Sequence, residues 1–330
     1  MKNINIHWLI PFNKTEFEEI RNSNLASIRL RTAVMADFFF KVGIKVTFGE
    51  TVEDKVNILL IGKIGTTNIR ERSDKWIKII SNAKKKGLKI VLDYTDHHLG
   101  FDSVMREFYR SVISYVNHVT VSSDYIGELL KNFYNGNIKV IPDPIEIPIY
   151  SEKKKFNNNY RSILWFGHSS NILYLVKFMN NLNTFKIPIE LKILSNEQSL
   201  LVLEKIDIKK LNNIKIKFDF WSVDKMVLTA KNCDICIIPS DINDVKKIGV
   251  SSNRLLTALA LGLPTGADML SSYKVFNEYF IDIKSSDFTD LILNPSKFTN
   301  LVEKAQKNVL PLYTIENIGK IWHKFLTNII

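Results

Sequence analysis

Short apolar runs bounded by turn residues recur along the chain, at 4–11, 44–48, 57–61, 88–93, 118–122 and 138–141 in its first half. They are rich in Ile, Leu and Val, the composition of parallel strands buried on both faces. Between them the apolar residues fall three and four apart, the period of a helix with one buried side. Residues 24–42 show this in Leu25, Ile28, Val34, Met35 and Phe38 and end at Gly43. Residues 70–86 show it in Trp76, Ile79 and Ile80 and end at Gly87. Further helices are predicted at 104–115 and 124–133. Strand–helix alternation of this kind specifies a doubly wound parallel sheet.

Residues 142–160 interrupt the rhythm with three prolines, a lysine run and three consecutive asparagines, the marks of an exposed connection. The alternation restarts at Arg161. Strands are predicted at 161–166, 189–194, 214–218 and 233–238. Helices are predicted at 172–182, 200–206 and 223–230, and segments at 276–279, 287–293 and 295–309 complete the domain. In the closing segment 315–330, Trp322, Phe325 and Ile329 line one stripe. The expected organisation is a first domain at 1–148, a linker at 149–160, a second domain at 161–312 and a terminal helix at 313–330. Ligands of such sheets sit beyond the C-terminal ends of the strands, so two domains predict a site in the cleft they face.

The 330 residues suffice for two domains. No run approaches the ~18–20 apolar residues needed to span a bilayer. The start soon turns acidic and lacks a small-residue cleavage site, so it reads as a strand and the expected location is cytoplasmic. Cys233 and Cys236 are the only cysteines, which excludes a disulfide framework. Their CxxC spacing falls inside an apolar strand, where cysteines act as small hydrophobes. The net charge of +11 is spread over both halves, with 21 basic against 17 acidic residues up to Tyr150 and 24 against 17 after it. This favours phosphorylated substrates or peripheral contact with an anionic membrane. With no basic arm and no recognisable motif, nucleic acid is excluded as a partner at this point.

The candidate chemistry lies at predicted strand ends. Residues 233–267, CDICIIPSDINDVKKIGVSSNRLLTALALGLPTGA, read as strand, loop, helix and turn. Ser251, Ser252 and Asn253 can cap the helix, Gly262 stops it and Pro264 follows. Its first turn offers backbone N–H groups, hydroxyls and Arg254, a combination suited to phosphate. A cation is unfavourable to a helix N-terminus unless an anion neutralises it. Gly167, His168 and Ser169 precede a second helix start and can approach the same phosphate. Trp221 and Ser222 stand after another strand, where the indole can stack on a base or pack beneath the loop. In the first half, Asp96 or His97 can take a proton or orient an acceptor hydroxyl, with His98 beside them. Adjacent ligands on one loop rarely wrap one ion, so no metal site is expected. Arg29 and Arg31 are two apart and cannot share a helix face; Arg29 is assigned to the acceptor side.

Four motifs in order, VTVSSDYIGELL (119–130), VIPDPIE (140–146), ILWFGHSSN (163–171) and the 233–267 stretch, resemble glycosyltransferases of the GT-B fold, particularly bacterial cell-surface polysaccharide transferases. The resemblance covers nearly the whole chain. It implies two facing Rossmann-like domains, the second holding most of a nucleotide-sugar and the last helix crossing back to the first. The implied reaction moves a sugar from that co-substrate, with no other cofactor, to a saccharide or lipid-linked saccharide. The implied setting is surface glycan assembly, as in lipopolysaccharide or capsule. Many retaining members carry two glutamates eight residues apart before the Gly-Leu-Pro turn; here Gly249 and Thr257 occupy those places. Two alternatives therefore stay open: a same-fold sugar-nucleotide epimerase or hydrolase, and a non-catalytic binding subunit.

Overall fold

A computed structural model of the chain describes residues 4–12, 17–23, 25–151, 156–157, 159–207 and 210–330. Residue 24 of the first predicted helix, and residues 152–155 and 158 of the predicted linker, lie outside the described residues. The described strands form two six-stranded sheets. The first holds β1 (Asn5–Leu9), β2 (Lys45–Phe48), β3 (Ile58–Ile61), β4 (Lys89–Tyr94), β5 (His118–Val121) and β6 (Asn137–Val140), in the order β2-β1-β3-β4-β5-β6. The second holds β7 (Arg161–Phe166), β8 (Ile189–Ser195), β9 (Ile214–Phe220), β10 (Ile235–Ile238), β11 (Thr265–Ala267) and β12 (Ile281–Asp282), in the order β12-β11-β10-β7-β8-β9. Every pairing in both sheets is parallel. The fold is α/β with two doubly wound parallel sheets.

The chain divides into two compact units. The first comprises Met1–Glu146, Asp244–Ser251 and Leu312–Ile330; the second comprises Ile147–Asn243 and Ser252–Pro311. Asp244–Ser251 thus belongs to the first unit although the second flanks it on both sides, an excursion the apolar pattern does not mark.

Alternation along the strands builds the first core. Ile6, Trp8, Ile58 and Leu60 enter the apolar cluster on one face of the sheet, while Leu9, Leu59 and Ile61 enter the cluster on the other. The helix Ile315–Ile329 closes one face, packing on the helix Val34–Lys41. Its Trp322 is fully buried, with its ring 5.8 Å from that of Trp8. In the second unit Ile163, Trp165, Leu191, Ile193, Ile235 and Ile237 supply the strand side of the core.

Three local features differ from the expected pattern. The first long helix opens with Ser27–Ala33 wound in the wider π form before the α-helix Val34–Lys41. The helix expected at 104–115 is α-helical over Arg106–Val112 and tightens to a 3-10 turn at Ile113–Tyr115. β11 and β12 went unread because three and two residues carry no measurable period.

Candidate functional site

In the second unit the ends of β7 and β10 meet the start of the helix Asn253–Ala260. The left-handed Gly262 and the Leu263 N–H bonded to the Ala258 carbonyl stop this helix after two turns. Its N-terminus differs from expectation. Ser252 takes the cap position, but its side chain caps nothing. Ser251 belongs to the first unit, where it hydrogen-bonds the Asp143 carboxylate.

Arg254 lies in the first turn. Its guanidinium sits over the Trp165 ring, 5.4 Å from the centroid, and Nε and Nη2 are buried without a hydrogen-bond partner among the described residues. Gly167 makes room for it: a Cβ there would stand 3.2 Å from Cζ and 3.3 Å from Nη2. Burial lowers the pKa of Arg254, and Tyr273 and Cys236 offset only part of that effect. Half-buried Arg106 also has a buried, unpartnered Nε, whereas the buried arginines are paired. Arg29 makes a bidentate bond to Glu146, Arg31 binds Asp93, and Arg161 lies 3.4 Å from Asp234. Arg254 as a residue is half-buried, and its two buried guanidinium nitrogens carry a desolvation cost that no described residue offsets by hydrogen bonding.

The neighbouring loops surround this point with ordered polar groups. The Gly167 N–H donates to the Leu194 carbonyl, and the Gly167 carbonyl accepts from Ser195 Oγ at 2.6 Å. His168 Nδ1 accepts the Ser170 N–H, and Ser169 Oγ accepts from Asn196 Nδ2. Trp221 is half-buried and donates its backbone N–H to the Ser195 carbonyl. Ser222 caps the helix Val223–Lys231 through the Lys225 N–H.

In the first unit the loops after β3 and β4 rise side by side. Asp96 is about one-third exposed, and Lys63 donates to its Oδ2 at 2.5 Å. Partial burial opposes the carboxylate's charge, but Lys63, His98 and Lys247 outweigh it and hold Asp96 below the ordinary carboxylate pKa. His97 is buried between Tyr94 and Phe133, with Nδ1 3.4 Å from the Tyr94 hydroxyl, and its pKa is lowered by burial. His98 stacks parallel on Tyr109, and its Nδ1 meets Ser103 Oγ at 2.9 Å. Burial pushes its pKa down to about 4 against the pull of Asp96, so the ring is neutral.

Arg29, assigned to the acceptor side, is fully engaged. Beyond the Glu146 pair, its Nη1 donates to the Ser23 carbonyl at 2.7 Å. Sequence reasoning weighed Arg31 and passed over it for Arg29; both are buried, and Arg31 binds both Asp93 oxygens and the Ile141 carbonyl, with Asp143 at 3.4 Å. Register explains part of this cluster: Thr120 pairs with Asp93 across β5 and β4, and its hydroxyl donates to Asp93 at 2.7 Å. Burial raises the pKa of Asp143, with Arg31 and Ser251 pulling the other way. Lys63 was missed; only its place after a strand could have drawn attention to it. Among the described residues no three His, Cys, Asp or Glu side chains converge as a metal-binding group. No described helix is long and apolar enough to cross a membrane.

No protein-family model matches the sequence, and no curated protein matches it. Solved structures do match in fold. An alpha-glucosyltransferase in complex with UDP superposes with a TM-score of 0.67 at 13% identity, over 98% of this chain and all of that one. Anabaena HepE in complex with UDP and glucose gives 0.67 at 10%, again over 98% and all of the other chain. The lipopolysaccharide outer core galactosyltransferase WaaB gives 0.60 at 11%, over 99% of this chain and all of the other.

These comparisons correct the exclusion of nucleic acid. Alpha-glucosyltransferase structures of the same fold hold DNA, one containing an abasic site and one a 13-mer with a central A:G mismatch. The exclusion relied on diffuse charge and the lack of a named motif. Phosphate contacts need neither: dispersed lysines and arginines on a chain of net charge +11 can supply them.

Proposed function

We propose that this protein is a glycosyltransferase that takes a sugar from a UDP-sugar. Residues 161–312 would hold the donor, and residues 1–148 the acceptor. The carrying observation is Arg254, half-buried, with Nε and Nη2 buried and unpartnered among the described residues and its guanidinium over Trp165 at a helix start without a side-chain cap. Its guanidinium grips the diphosphate, aided by N–H groups near Ser252 and Asn253 and by the backbone of Gly167, His168 and Ser169. Trp221 and Ser222 lie on the nucleobase side. Negative charge grows on the leaving phosphate as the glycosidic bond breaks, and donors already in place stabilise it without reorganising. Asp96 orients the acceptor hydroxyl, with His98 on the same side. UDP in solved structures of this fold supports uridine as the base.

For the acceptor, the matched lipopolysaccharide enzyme supports a saccharide or lipid-linked saccharide of surface glycan, worked on from the cytoplasm at the membrane's inner face. DNA is the second reading, supported by the DNA-bound alpha-glucosyltransferases. Thermal shift against UDP-, GDP-, CMP- and dTDP-sugars tests the donor, because a ligand that binds only the native state raises Tm. UDP-sugars should give the largest rise; no rise with any of them contradicts the reading. UDP release from the best donor, with lipopolysaccharide core saccharides or duplex DNA added, separates the two acceptors.

A further inference from the structure

We propose that Lys63 is a positioning residue for the acceptor, holding the Asp96 carboxylate in a single orientation. The inference rests on the reading of Asp96 given above. β3 and β4 are neighbours, with Ile61 paired to Leu92, so the loops carrying Lys63 and Asp96 leave the sheet together. The preceding residue runs close to β1: a Cβ on Gly62 would stand 3.1 Å from the Leu9 carbonyl oxygen. Lys63, the next residue, reaches Asp96 Oδ2 with its Nζ.

The exposure of the pair separates this contact from the structural ones nearby. The side chains of Lys63 and Asp96 are 31% and 32% exposed, against 2% and 3% for Arg31 and Asp93. An ion pair that exposed contributes at most about 1 kcal/mol to stability, so folding alone is a weak reason for it. The pair is also half-used. Lys63 occupies Oδ2, while Oδ1 accepts nothing from the described residues. A carboxylate only accepts hydrogen bonds, so Oδ1 is left for an incoming O–H donor, and a sugar hydroxyl is one.

The groups facing Asp96 come from several segments. Lys63 follows β3, Lys247 lies in Asp244–Ser251, and His98 is on its own loop. Asp143, Tyr94 and Tyr109 also face it. The two lysines keep the carboxylate charged, so it remains an acceptor across the neutral range. Without Lys63, Asp96 gains both a proton more readily and a freedom of rotation.

The test uses UDP-glucose as donor and glucose as acceptor probe, with UDP release as the readout, in wild type, Lys63→Met, Lys63→Arg and Asp96→Asn. Lys63→Met should raise the KM for glucose about tenfold or more, the scale of effect of a misplaced orienting group. It should leave UDP affinity by calorimetry unchanged. The acid limb of its kcat/KM profile should move to higher pH, and Lys63→Arg should restore most of the loss. Carboxyl-carbon NMR of Asp96 should report the same upward move in titration. A Lys63→Met enzyme with wild-type glucose KM and wild-type pH profile, alongside an impaired Asp96→Asn, overturns the inference alone. An unimpaired Asp96→Asn overturns the reading of Asp96, and the inference with it.

Discussion

Arg31 is a buried arginine and Arg254 a half-buried one whose Nε and Nη2 are buried, and they differ in what they meet. Arg31 is satisfied internally by Asp93, the Ile141 carbonyl and Asp143. Arg31→Met leaves two buried carboxylates without their cation and should cost about 3–5 kcal/mol, read by urea unfolding. Arg254 has no such partner, so Arg254→Met should leave the ligand-free protein at least as stable as wild type by thermal melting. His98 adds a pH dependence. Its folded pKa of about 4 lies below the usual 6.5, so the unfolded chain binds the extra proton between those values. Stability should be full above pH 6.5 and fall toward pH 4, by about 3 kcal/mol from this group alone. His98→Gln should flatten that decline in melts across the range. The sequence made Arg254 visible because a cation at a helix start conflicts with the local dipole. It could not reveal Arg31, whose partners lie 62 and 112 residues away and meet it only once the strand register exists.

At the scale of elements, the closing helix Ile315–Ile329 couples a readable stripe to contacts that cannot be read. Trp322, Phe325 and Ile329 are buried, and Trp322 lies under Arg31 and against Trp8. Trp322→Ala should cost about 3–5 kcal/mol, measured by chemical unfolding. Gly319 is the closer test of packing. A Cβ there would lie 2.4–2.5 Å from the Phe38 ring, so Gly319→Ala should destabilise even though alanine is the better helix former. An unchanged urea midpoint would show that this helix does not pack on Val34–Lys41 as described. Strands such as β3 and β7 were legible because burial on both faces leaves a solid apolar run. The π-wound turn at Ser27–Ala33 was not, since its apolar spacing fits an ordinary helix equally well.

For the whole molecule, two parallel sheets could be read from alternation alone, and the strand ends marked where ligands belong. The return of Asp244–Ser251 to the first unit could not, because it depends on Asp143 meeting Ser251 and on a left-handed Gly249 set against Ile126. The exclusion of nucleic acid failed because net charge and motif searches describe the chain and not its folded surface. On the proposed reading the second unit holds a nucleoside diphosphate on Arg254. Calorimetric titration of UDP and of uridine into wild type and Arg254→Ala tests it most directly. Wild type should bind UDP well above uridine, and the variant should lose about 1.5–3 kcal/mol of UDP affinity while uridine binding stays unchanged. Equal UDP affinity in the two proteins would remove Arg254 from the nucleotide site.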